Sequence, residues 1–377
     1  MESDGIQKLT MPKWGLSMTR GTVIEWLVPE GAEIVAGLEI LEVETEKITG
    51  CVESPINGTL RRHVATPGQD IPIGGLLAVV ADPSVSDDQI DHFIESYLPE
   101  IAGDESASDD LVPEFADVGG RRVRYLEQGE GGPPAVLVHG FAGSLDNWLF
   151  NHAPLAQQRA VYALDLPGHG QSSKDVGDGS LEMLIGTLHD WLDVLGLPCV
   201  HLVGHSLGGA VALGMALQNP DRVRSCTLIA SAALGPEIDA GYIDGVVEAN
   251  RRKQLKPCLE RLFADPGRMT RQLVDELLKF KRLDGVRDAL GKLADNFVVN
   301  GEQVVVYRNE LDQLQAPTQV IWGSEDLIIP SSHAEDLPDL ISVEVLADCG
   351  HMVQMEAARE VNQLILSFLE ETDSRGS

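Results

Sequence analysis

The segment Cys199-Val200-His201-Leu202-Val203-Gly204-His205-Ser206-Leu207-Gly208 decides how the larger part of this chain folds. The apolar run Cys199–Val203 predicts a buried strand, and Leu207–Gln218 predicts a helix directly after it. A serine between two such elements, with a glycine two residues before it and another two after it, is typical of a nucleophile elbow. The glycines let strand and helix approach closely, and the strained turn exposes the hydroxyl. We therefore expect Ser206 to be a nucleophile. An ordinary strand–helix turn is the alternative.

A nucleophilic serine needs a base and an acid that orients the base. Downstream, Val320–Asp326 ends a predicted strand with an acidic residue, and Val345–His351 ends the last predicted strand with a histidine. The chain order serine, acid, histidine is the order used on α/β-hydrolase scaffolds. We expect His351 to be the base and Asp326 the acid, with Glu325 and Asp348 as alternative acids.

An oxyanion would be held by backbone N–H groups. Leu207 follows the nucleophile and is the first expected donor, and Phe141, in the loop His139-Gly140-Phe141-Ala142-Gly143, is the second. We expect His139 to bond its own loop. We also expect the turn-rich segment Asp165–Gly170 to have an architectural role.

The region around the elbow has the rhythm of an α/β domain, in which buried parallel strands alternate with helices. The predicted strands are Ala135–Val138, Ala160–Leu164, Cys199–Val203, Ser225–Ile229, Thr318–Trp322 and Ser342–Leu346. Besides Leu207–Gln218, a helix is predicted over Ala357–Leu369. Residues 236–312 interrupt this rhythm with charged, helical-looking sequence, and we interpret them as a cap over the carboxyl edge of a mostly parallel sheet.

A change in composition separates this domain from the N-terminal part. Residues 63–120 contain no Lys or Arg, and acidic residues accumulate from 82 to 117. Such a block repels itself and stays extended, although Ile90, Phe93, Ile94 and Tyr97 have the spacing of one short helix. We predict a carrier domain at 1–81, an acidic linker at 82–117 and the α/β domain at 118–377.

The N-terminal part contains a duplication. Val28-Pro29-Glu30-Gly31 is followed by Gly37, and the matching Ala65-Thr66-Pro67-Gly68 is followed by Gly74. Two copies of one strand–turn–strand unit predict two small sheets that face each other. Lys47 lies between the copies, where a hairpin tip is expected. It is either a surface charge or an amine presented to a modifying enzyme.

Composition excludes several classes of function. The formal net charge of −31 argues against nucleic acid and anionic lipid. No apolar run is long enough to span a membrane, and the acidic start does not predict a secretory signal. The five scattered cysteines predict reduced thiols in a cytoplasmic protein, with neither a disulfide framework nor a metal site.

Residues 1–81 resemble a biotinyl/lipoyl carrier domain, through Met11-Pro12-Lys13-Trp14-Gly15, Glu30-Gly31, Gly37 and Glu44-Thr45-Glu46-Lys47-Ile48. The resemblance implies a small all-β sandwich, or flattened barrel, with lipoate attached to Lys47 by a lipoate ligase or lipoyl transferase. The family commonly has Asp where this chain has Glu46. The Met-Lys-Met of the biotin relatives is absent, which favours lipoyl.

Residues 118–370 resemble the α/β-hydrolase family, through His139-Gly140-Phe141, Gly204–Gly208, Asp326 and His351. Together the two modules resemble the acyltransferase components of bacterial acetoin dehydrogenase complexes. This resemblance implies a thiamine-diphosphate-dependent first component and a flavin dihydrolipoyl dehydrogenase as partners. The His-x-x-x-Asp-Gly motif of the 2-oxo acid dehydrogenase acyltransferases is absent, and residues 82–117 lack the basic charge of their subunit-binding domain.

These expectations combine into one function. Ser206, deprotonated by His351, would take acetyl from a lipoyl thioester on Lys47 and pass it to CoA, with Phe141 and Leu207 holding the oxyanion. An ester or thioester hydrolase that carries a lipoyl domain is the first alternative, and a non-catalytic scaffold and acyl carrier is the second. The sequence leaves the oligomeric state open, a homo-oligomer included.

Overall fold

The computed structural model describes residues 6–12, 14, 18–45, 49–97, 112–269 and 271–375, without the side chains of Glu95, Ser96 and Gln272. Contacts divide the chain into two compact units. The first comprises Met1–Asp110 with Arg268–Leu273, and the second comprises Leu111–Gly267 with Val274–Ser377. Within the described residues, no helix combines the length and the apolar composition needed to cross a membrane.

The N-terminal unit has two four-stranded sheets, with strand orders β1-β8-β6-β3 and β5-β4-β2-β7. Its strands are β1 (Ile6–Thr10), β2 (Arg20–Trp26), β3 (Glu33–Ile34), β4 (Glu39–Glu44), β5 (Thr49–Glu53), β6 (Gly58–His63), β7 (Asp70–Pro72) and β8 (Leu76–Ala81). All pairings are antiparallel. One apolar core takes side chains from both sheets, among them Val23 and Val43 from one sheet and Leu60 and Leu77 from the other. The predicted all-β lipoyl-type sandwich is confirmed.

The glycines repeated in the two halves of the N-terminal unit share one backbone conformation. Gly31 and its counterpart Gly68 have φ of 86° and 83°, and Gly37 and Gly74 have φ of 82° and 76°. This left-handed region is open to glycine but costly for residues with a Cβ. The two halves therefore use the same turns, and the turns require the repeated glycines.

Helix α1 (Asp87–Ser96) lies within the predicted linker and packs on the N-terminal unit. It begins at a capping box formed by Ser86 and Gln89. Ile90 is fully buried in a cluster with side chains of β8, and the Tyr97 hydroxyl donates to the Gly74 carbonyl oxygen at 2.6 Å. The segment 82–117 is thus structured at its beginning, and at its end a strand starts at Glu114. The domain limits given above stay a prediction.

The second unit is built on an eight-stranded sheet of order β18-β17-β14-β13-β11-β12-β10-β9. Its strands are β9 (Glu114–Val118), β10 (Arg121–Gln128), β11 (Ala135–Val138), β12 (Val161–Leu164), β13 (Val200–His205), β14 (Val223–Ile229), β17 (Thr318–Gly323) and β18 (Ile341–Leu346). A two-stranded hairpin of β15 (Val298–Val299) and β16 (Glu302–Gln303) stands apart from it.

The helices of this unit fall into two groups. Those that follow the sheet strands are α2 (His152–Leu155), α3 (Leu181–Val194), α4 (Leu207–Gln218), α9 (Val353–Glu356) and α10 (Ala358–Arg375). Those inserted between β14 and β17 are α5 (Ala240–Glu248), α6 (Arg252–Glu260), α7 (Arg271–Lys281) and α8 (Val286–Phe297). The inserted helices fall within residues 236–312, where the sequence predicts a cap.

Six of the sheet strands coincide with the predicted ones, and all five pairings among them are parallel. The mostly parallel α/β-hydrolase fold is confirmed. The expectation that all six are buried is wrong for β18, where Val345 is 48% exposed, because this strand lies at the edge of the sheet. The antiparallel strands β9 and β10 were not predicted.

Candidate active site

Ser206 occupies a strained turn between β13 and α4. Its φ of 53° and ψ of −119° lie outside the regions that a residue with a Cβ ordinarily adopts. A Cβ on Gly204 would meet the Gly208 carbonyl oxygen at 2.3 Å, and one on Gly208 would meet the Val138 carbonyl oxygen at 2.1 Å. The two glycines thus allow the close backbone approach that the elbow motif predicts. The strain is held by β13, which is fully buried between β11 and β14.

The loop after β11 lies against the nucleophile. A Cβ on Gly140 would come within 3.0 Å of Ser206 Cβ. The buried His139 ring fixes this loop: Nδ1–H donates to the Gly140 carbonyl oxygen at 2.8 Å, and Nε2 accepts from the Leu166 N–H at 3.0 Å. Burial lowers the pKa of His139 and keeps the ring neutral, as these two roles require. Its ring therefore bonds the loop, as expected.

Two backbone N–H groups remain available beside Ser206. Among the described residues, neither the N–H of Phe141 nor that of Leu207 donates to an acceptor of the protein. The Leu207 N–H is the first of helix α4, so it has no partner within the helix. Both side chains are buried.

Asp165 organises the neighbouring loop after β12. Its Oδ1 accepts from the Leu145 N–H and its Oδ2 from the Gln171 N–H, both at 2.8 Å. Arg124 Nη1 forms an ion pair of 3.3 Å with the same carboxylate, and both side chains are buried. The Arg124 contact ties this loop to β10, and the other two tie it to Leu145 and to its own later part, which is the architectural role expected for this segment.

His351 and Asp326 form a buried pair. The Nδ1–H of His351 donates to Asp326 Oδ2 at 2.8 Å, and the side chains are 3% and 0% exposed. The other carboxylate oxygen, Oδ1, accepts from the N–H groups of Ile328 and Ile329 at 2.8 and 3.0 Å. This arrangement fixes the ring tautomer that leaves Nε2 without a proton.

The two alternative acids are placed differently. Glu325 and Asp348 are both exposed, and among the described carboxylates Asp326 alone accepts a hydrogen bond from the His351 ring. Asp348 has φ of 57° and marks a turn before the histidine loop. The structure thus brings Asp326 to His351 and leaves the other two carboxylates in solvent.

The histidine loop meets the elbow through His205. The Nε2–H of His205 donates to the His351 carbonyl oxygen at 2.9 Å, and the two ring centroids lie 4.8 Å apart. Burial, followed by the nearby His351, holds the pKa of His205 well below its ordinary value. Within the described structure, no hydrogen bond joins Ser206 Oγ to the His351 ring. Such bonds are often long in ligand-free sites and tighten when substrate binds.

Two residues of this site were missed by sequence reasoning. His205 occupies a position that the elbow motif leaves unspecified. Trp322 was counted only as a strand residue, yet its Nε1–H donates to Asp326 Oδ2 at 3.1 Å and to the Ile329 carbonyl oxygen at 3.1 Å. The sequence carried one signal for Trp322, a buried donor four residues before the acid. Whether that donor faced the acid depended on the loop after β17.

An apolar pocket adjoins the start of α4. Helices α3 and α8 supply its other walls. Its lining includes Leu181, Leu184, Leu207, Ala210, Leu293 and Phe297. The pocket lies against Leu207, the residue that follows the nucleophile, and Ser206 itself is not part of the lining.

Lys47 belongs to the N-terminal unit. Glu44 at the end of β4 pairs with Thr49 at the start of β5, so residues 45–48 connect an antiparallel hairpin. Lys47 itself, with Glu46 and Ile48, lies outside the described residues. The connection is short and joins two paired strands, which is the setting that the sequence predicts for a presented lysine.

Comparison with known proteins agrees with both units. Residues 7–80 match the biotin/lipoyl family model described as "Biotin-requiring enzyme", and residues 133–358 match the model for the alpha/beta hydrolase fold. A crystal structure of a membrane phospholipase A has a TM-score of 0.62 and 25% identity, over 70% of this chain and 86% of that one.

Two curated relatives match almost the whole chain. A dihydrolipoyllysine-residue acetyltransferase component of the acetoin cleaving system of Pseudomonas putida is 50% identical, over 97% of this chain and 98% of the relative. The component of that name from Cupriavidus necator is 46% identical over the same shares. The chain therefore belongs to the family of dihydrolipoyllysine-residue acetyltransferase components of acetoin cleaving systems, with a biotin/lipoyl domain ahead of an α/β-hydrolase domain.

Proposed function

We propose that this protein is the dihydrolipoyllysine acetyltransferase of an acetoin cleaving system and that it transfers acetyl groups to CoA at Ser206. The proposal rests on one observation: the same chain contains a biotin/lipoyl domain, a nucleophile elbow and a buried His351–Asp326 pair. Relatives of this family match it along 97% of its length.

The triad roles follow from the contacts of each side chain. His351 takes the proton of Ser206 Oγ at its Nε2, and the oxygen forms a bond to the carbonyl carbon of the acyl thioester. When the C–S bond breaks, His351 returns this proton to the departing thiolate. Asp326 keeps Nδ1 protonated and stabilises the imidazolium while it exists, because its Oδ2 lies 2.8 Å from that nitrogen.

The oxyanion of each tetrahedral intermediate is assigned to the N–H groups of Phe141 and Leu207. Neither has an acceptor within the described residues, and the Phe141 loop approaches Ser206 through Gly140. Unpaired donors that are fixed in advance stabilise charge as it develops without reorganisation, and removal of one such donor costs about 10²–10³-fold in kcat.

Lys47 is the proposed attachment point for lipoate. A lysine in a hairpin connection offers its Nζ for an amide bond away from the apolar core, which suits this group. Bound there, lipoate would supply the thiol that presents the acetyl group as a thioester. The chain's own contribution is the hairpin of β4 and β5, which holds the connection, and the acidic segment before Glu114, which joins the two units.

The second half-reaction decides between transferase and hydrolase. CoA thiol loses its proton to His351 and attacks the acetyl-serine ester, and Ser206 Oγ leaves with that proton. Water in the same place gives hydrolysis, so an ester or thioester hydrolase is the alternative function. The match to the alpha/beta hydrolase fold over residues 133–358 is compatible with this alternative.

Membership of an acetoin cleaving system implies further components. We assign as partners a thiamine-diphosphate-dependent dehydrogenase component, a dihydrolipoyl dehydrogenase and a lipoate ligase or lipoyl transferase. A cytoplasmic location is proposed with them, supported by five cysteines that are all free thiols.

The proposal is tested by product analysis with acetyl-dihydrolipoamide in the presence and absence of CoA. Acetyl-CoA should form with the wild type, and Ser206→Ala should lower its rate by about a million-fold, with His351→Ala nearly as damaging. Asp326→Asn should reduce the rate less. Release of acetate alone, at a rate that CoA does not change, would identify a hydrolase. Intact mass of the wild type and Lys47→Ala, made in cells with lipoate, tests the attachment point.

A further inference from the structure

Positive charge is concentrated in one part of this acidic protein. Residues 251–292, which span helices α6 and α7 and the first half of α8, contain 12 of the 28 Lys and Arg residues but only 6 of the 59 Asp and Glu residues. The remaining residues have 16 basic against 53 acidic side chains. The insertion between β14 and β17 is therefore cationic on a strongly anionic chain, which favours an anionic ligand there.

Several of these basic side chains form ion pairs with acidic side chains of the same insertion. Arg252 pairs with Asp275, Lys256 with Glu260 and Arg261 with Asp239. Besides Arg271, which belongs to the N-terminal unit, five others are exposed and form no ion pair or hydrogen bond with any described residue through their side chains. We call these the basic cluster: Arg251, Lys253, Lys279, Arg282 and Arg287.

The contacts of Lys281 bring the helix ends that carry the basic cluster together. Its ammonium donates to the carbonyl oxygens of Val246 and Ala249, just before Arg251 in the chain. Burial, and after it the positive charge of Arg287, lowers the pKa of Lys281 to about 8. The end of α5, the start of α6, the end of α7 and the start of α8 thus meet at one place.

Helix α8 connects this place with the nucleophile. Arg287 stands in its first turn, while Leu293 and Phe297 further along line the apolar pocket with Leu207. At a rise of 1.5 Å per residue, the helix covers about 9 Å from Arg287 to Leu293 and about 15 Å to Phe297. A pantetheine arm has about 13 bonds between its sulfur and the first phosphorus, and by backbone dimensions it also extends about 15 Å.

We propose that the basic cluster binds the phosphates of the CoA nucleotide, with the pantetheine arm following α8 to the acetyl-serine at Ser206. The inference rests on the proposed function and adds to it the binding site of the acceptor. Arginine and lysine at the rim pair with phosphate oxygens by charge-assisted hydrogen bonds. They lie outside the reacting centre, so they set the affinity for the nucleotide and do not change the rate of the chemical steps.

The test compares CoA with pantetheine as acceptors in the full-length, lipoylated protein. Arg251→Gln, Arg282→Gln and Arg287→Gln should each raise KM for CoA up to about fivefold, the range expected for an exposed ion pair. The triple variant should raise it by at least about tenfold. Its kcat with CoA and its kcat/KM with pantetheine, which has no nucleotide, should change less than about twofold. Arg375→Gln, which removes an exposed charge of α10, is the matched control.

Competition gives a second readout. Adenosine 3′,5′-bisphosphate should inhibit the wild type competitively against CoA and should inhibit the triple variant at least about tenfold more weakly. An unchanged KM for CoA in the triple variant overturns the inference, as does an equal loss with pantetheine. A rise in KM for the acyl donor alone also overturns it, because the surface would then serve an acidic protein. Transfer to neither acceptor by the wild type would instead contradict the proposed function.

Discussion

The Nε2–H of His205 donates a 2.9 Å hydrogen bond to the backbone carbonyl oxygen of His351. The residue directly before the nucleophile thereby holds the loop that carries the base. Both rings are buried, and among the described polar atoms His205 Nδ1 is one of the few buried without a partner. This hydrogen bond therefore couples the positions of Ser206 and His351, although no hydrogen bond joins their side chains in the described structure.

Loss of this bond should lower the rate with little effect on binding. His205→Phe keeps a ring of similar size but removes the donor, and a misplaced base costs up to about 100-fold in kcat. His205→Gln retains an N–H donor and should recover most of the loss. The measurement is kcat and KM for acetyl transfer, with a melting curve for each variant. Equal kcat for the Phe and Gln variants would show that His205 only fills space.

Trp322 is expected to position Asp326. Its indole N–H and the His351 ring donate to the same carboxylate oxygen. Trp322→Phe therefore removes one of the four donors that this carboxylate has among the described residues. A hydrogen bond to a charged group contributes about 1.5–3 kcal/mol, and part of that should appear as a fall in kcat of about tenfold. KM should not change.

Trp191→Phe is the matched control for Trp322→Phe. Trp191 is also fully buried, but its Nε1 has no hydrogen-bond partner among the described residues, so the change removes volume without removing a bond. Both variants should lower the melting temperature, and only Trp322→Phe should lower kcat. Similar kcat losses in both would assign the effect to packing.

The elbow, the parallel strands and the order of Ser206, Asp326 and His351 could be predicted because each has a short-range signal. A glycine two residues before the serine, an apolar run and an acid at a strand end are local patterns. The contacts of His205 and Trp322 could not be predicted, since they depend on how loops after different strands meet. Helix α1 is a further example: the spacing of its apolar residues predicts a helix, but its packing on β8 is a tertiary contact that the spacing does not specify.

Ile90→Ala should destabilise the N-terminal unit. Ile90 is fully buried between α1 and the sheet, in a cluster of five buried residues. Truncation of a buried isoleucine to alanine lowers the free energy of unfolding by about 2–5 kcal/mol. Because this cluster is small, we expect a value at the lower end of that range. Hydrogen exchange resolved by peptide should report faster exchange in β8 and α1, with the hydrolase unit unchanged. Ile24→Ala, at a side chain that is 38% exposed, is the control. Unchanged exchange in β8 would contradict the packing of α1.

Acid should destabilise the hydrolase unit through its buried histidines, and His152 allows a direct test. Burial lowers the pKa of His152 from 6.5 to about 4 in the folded protein. Its Nδ1 lies 3.0 Å from Gln128 Oε1, and its Nε2 has no hydrogen-bond partner in the part of the chain that the structure describes. Between pH 6.5 and 4 the unfolded chain therefore binds a proton that the folded chain does not. Stability must fall as pH falls through this window, since it rises with pH wherever the unfolded state binds more protons.

His152→Gln removes that titration and keeps a polar side chain for Gln128. The free energy of unfolding of the hydrolase unit should therefore fall less steeply with acid in the variant. Relative to the wild type, it should gain about 2 kcal/mol as the pH is lowered from 6.5 to 4.5. Any constant packing cost of the substitution appears at both pH values and cancels in this difference. Parallel curves for wild type and His152→Gln would mean that His152 accepts its proton in the folded state as readily as in the unfolded chain.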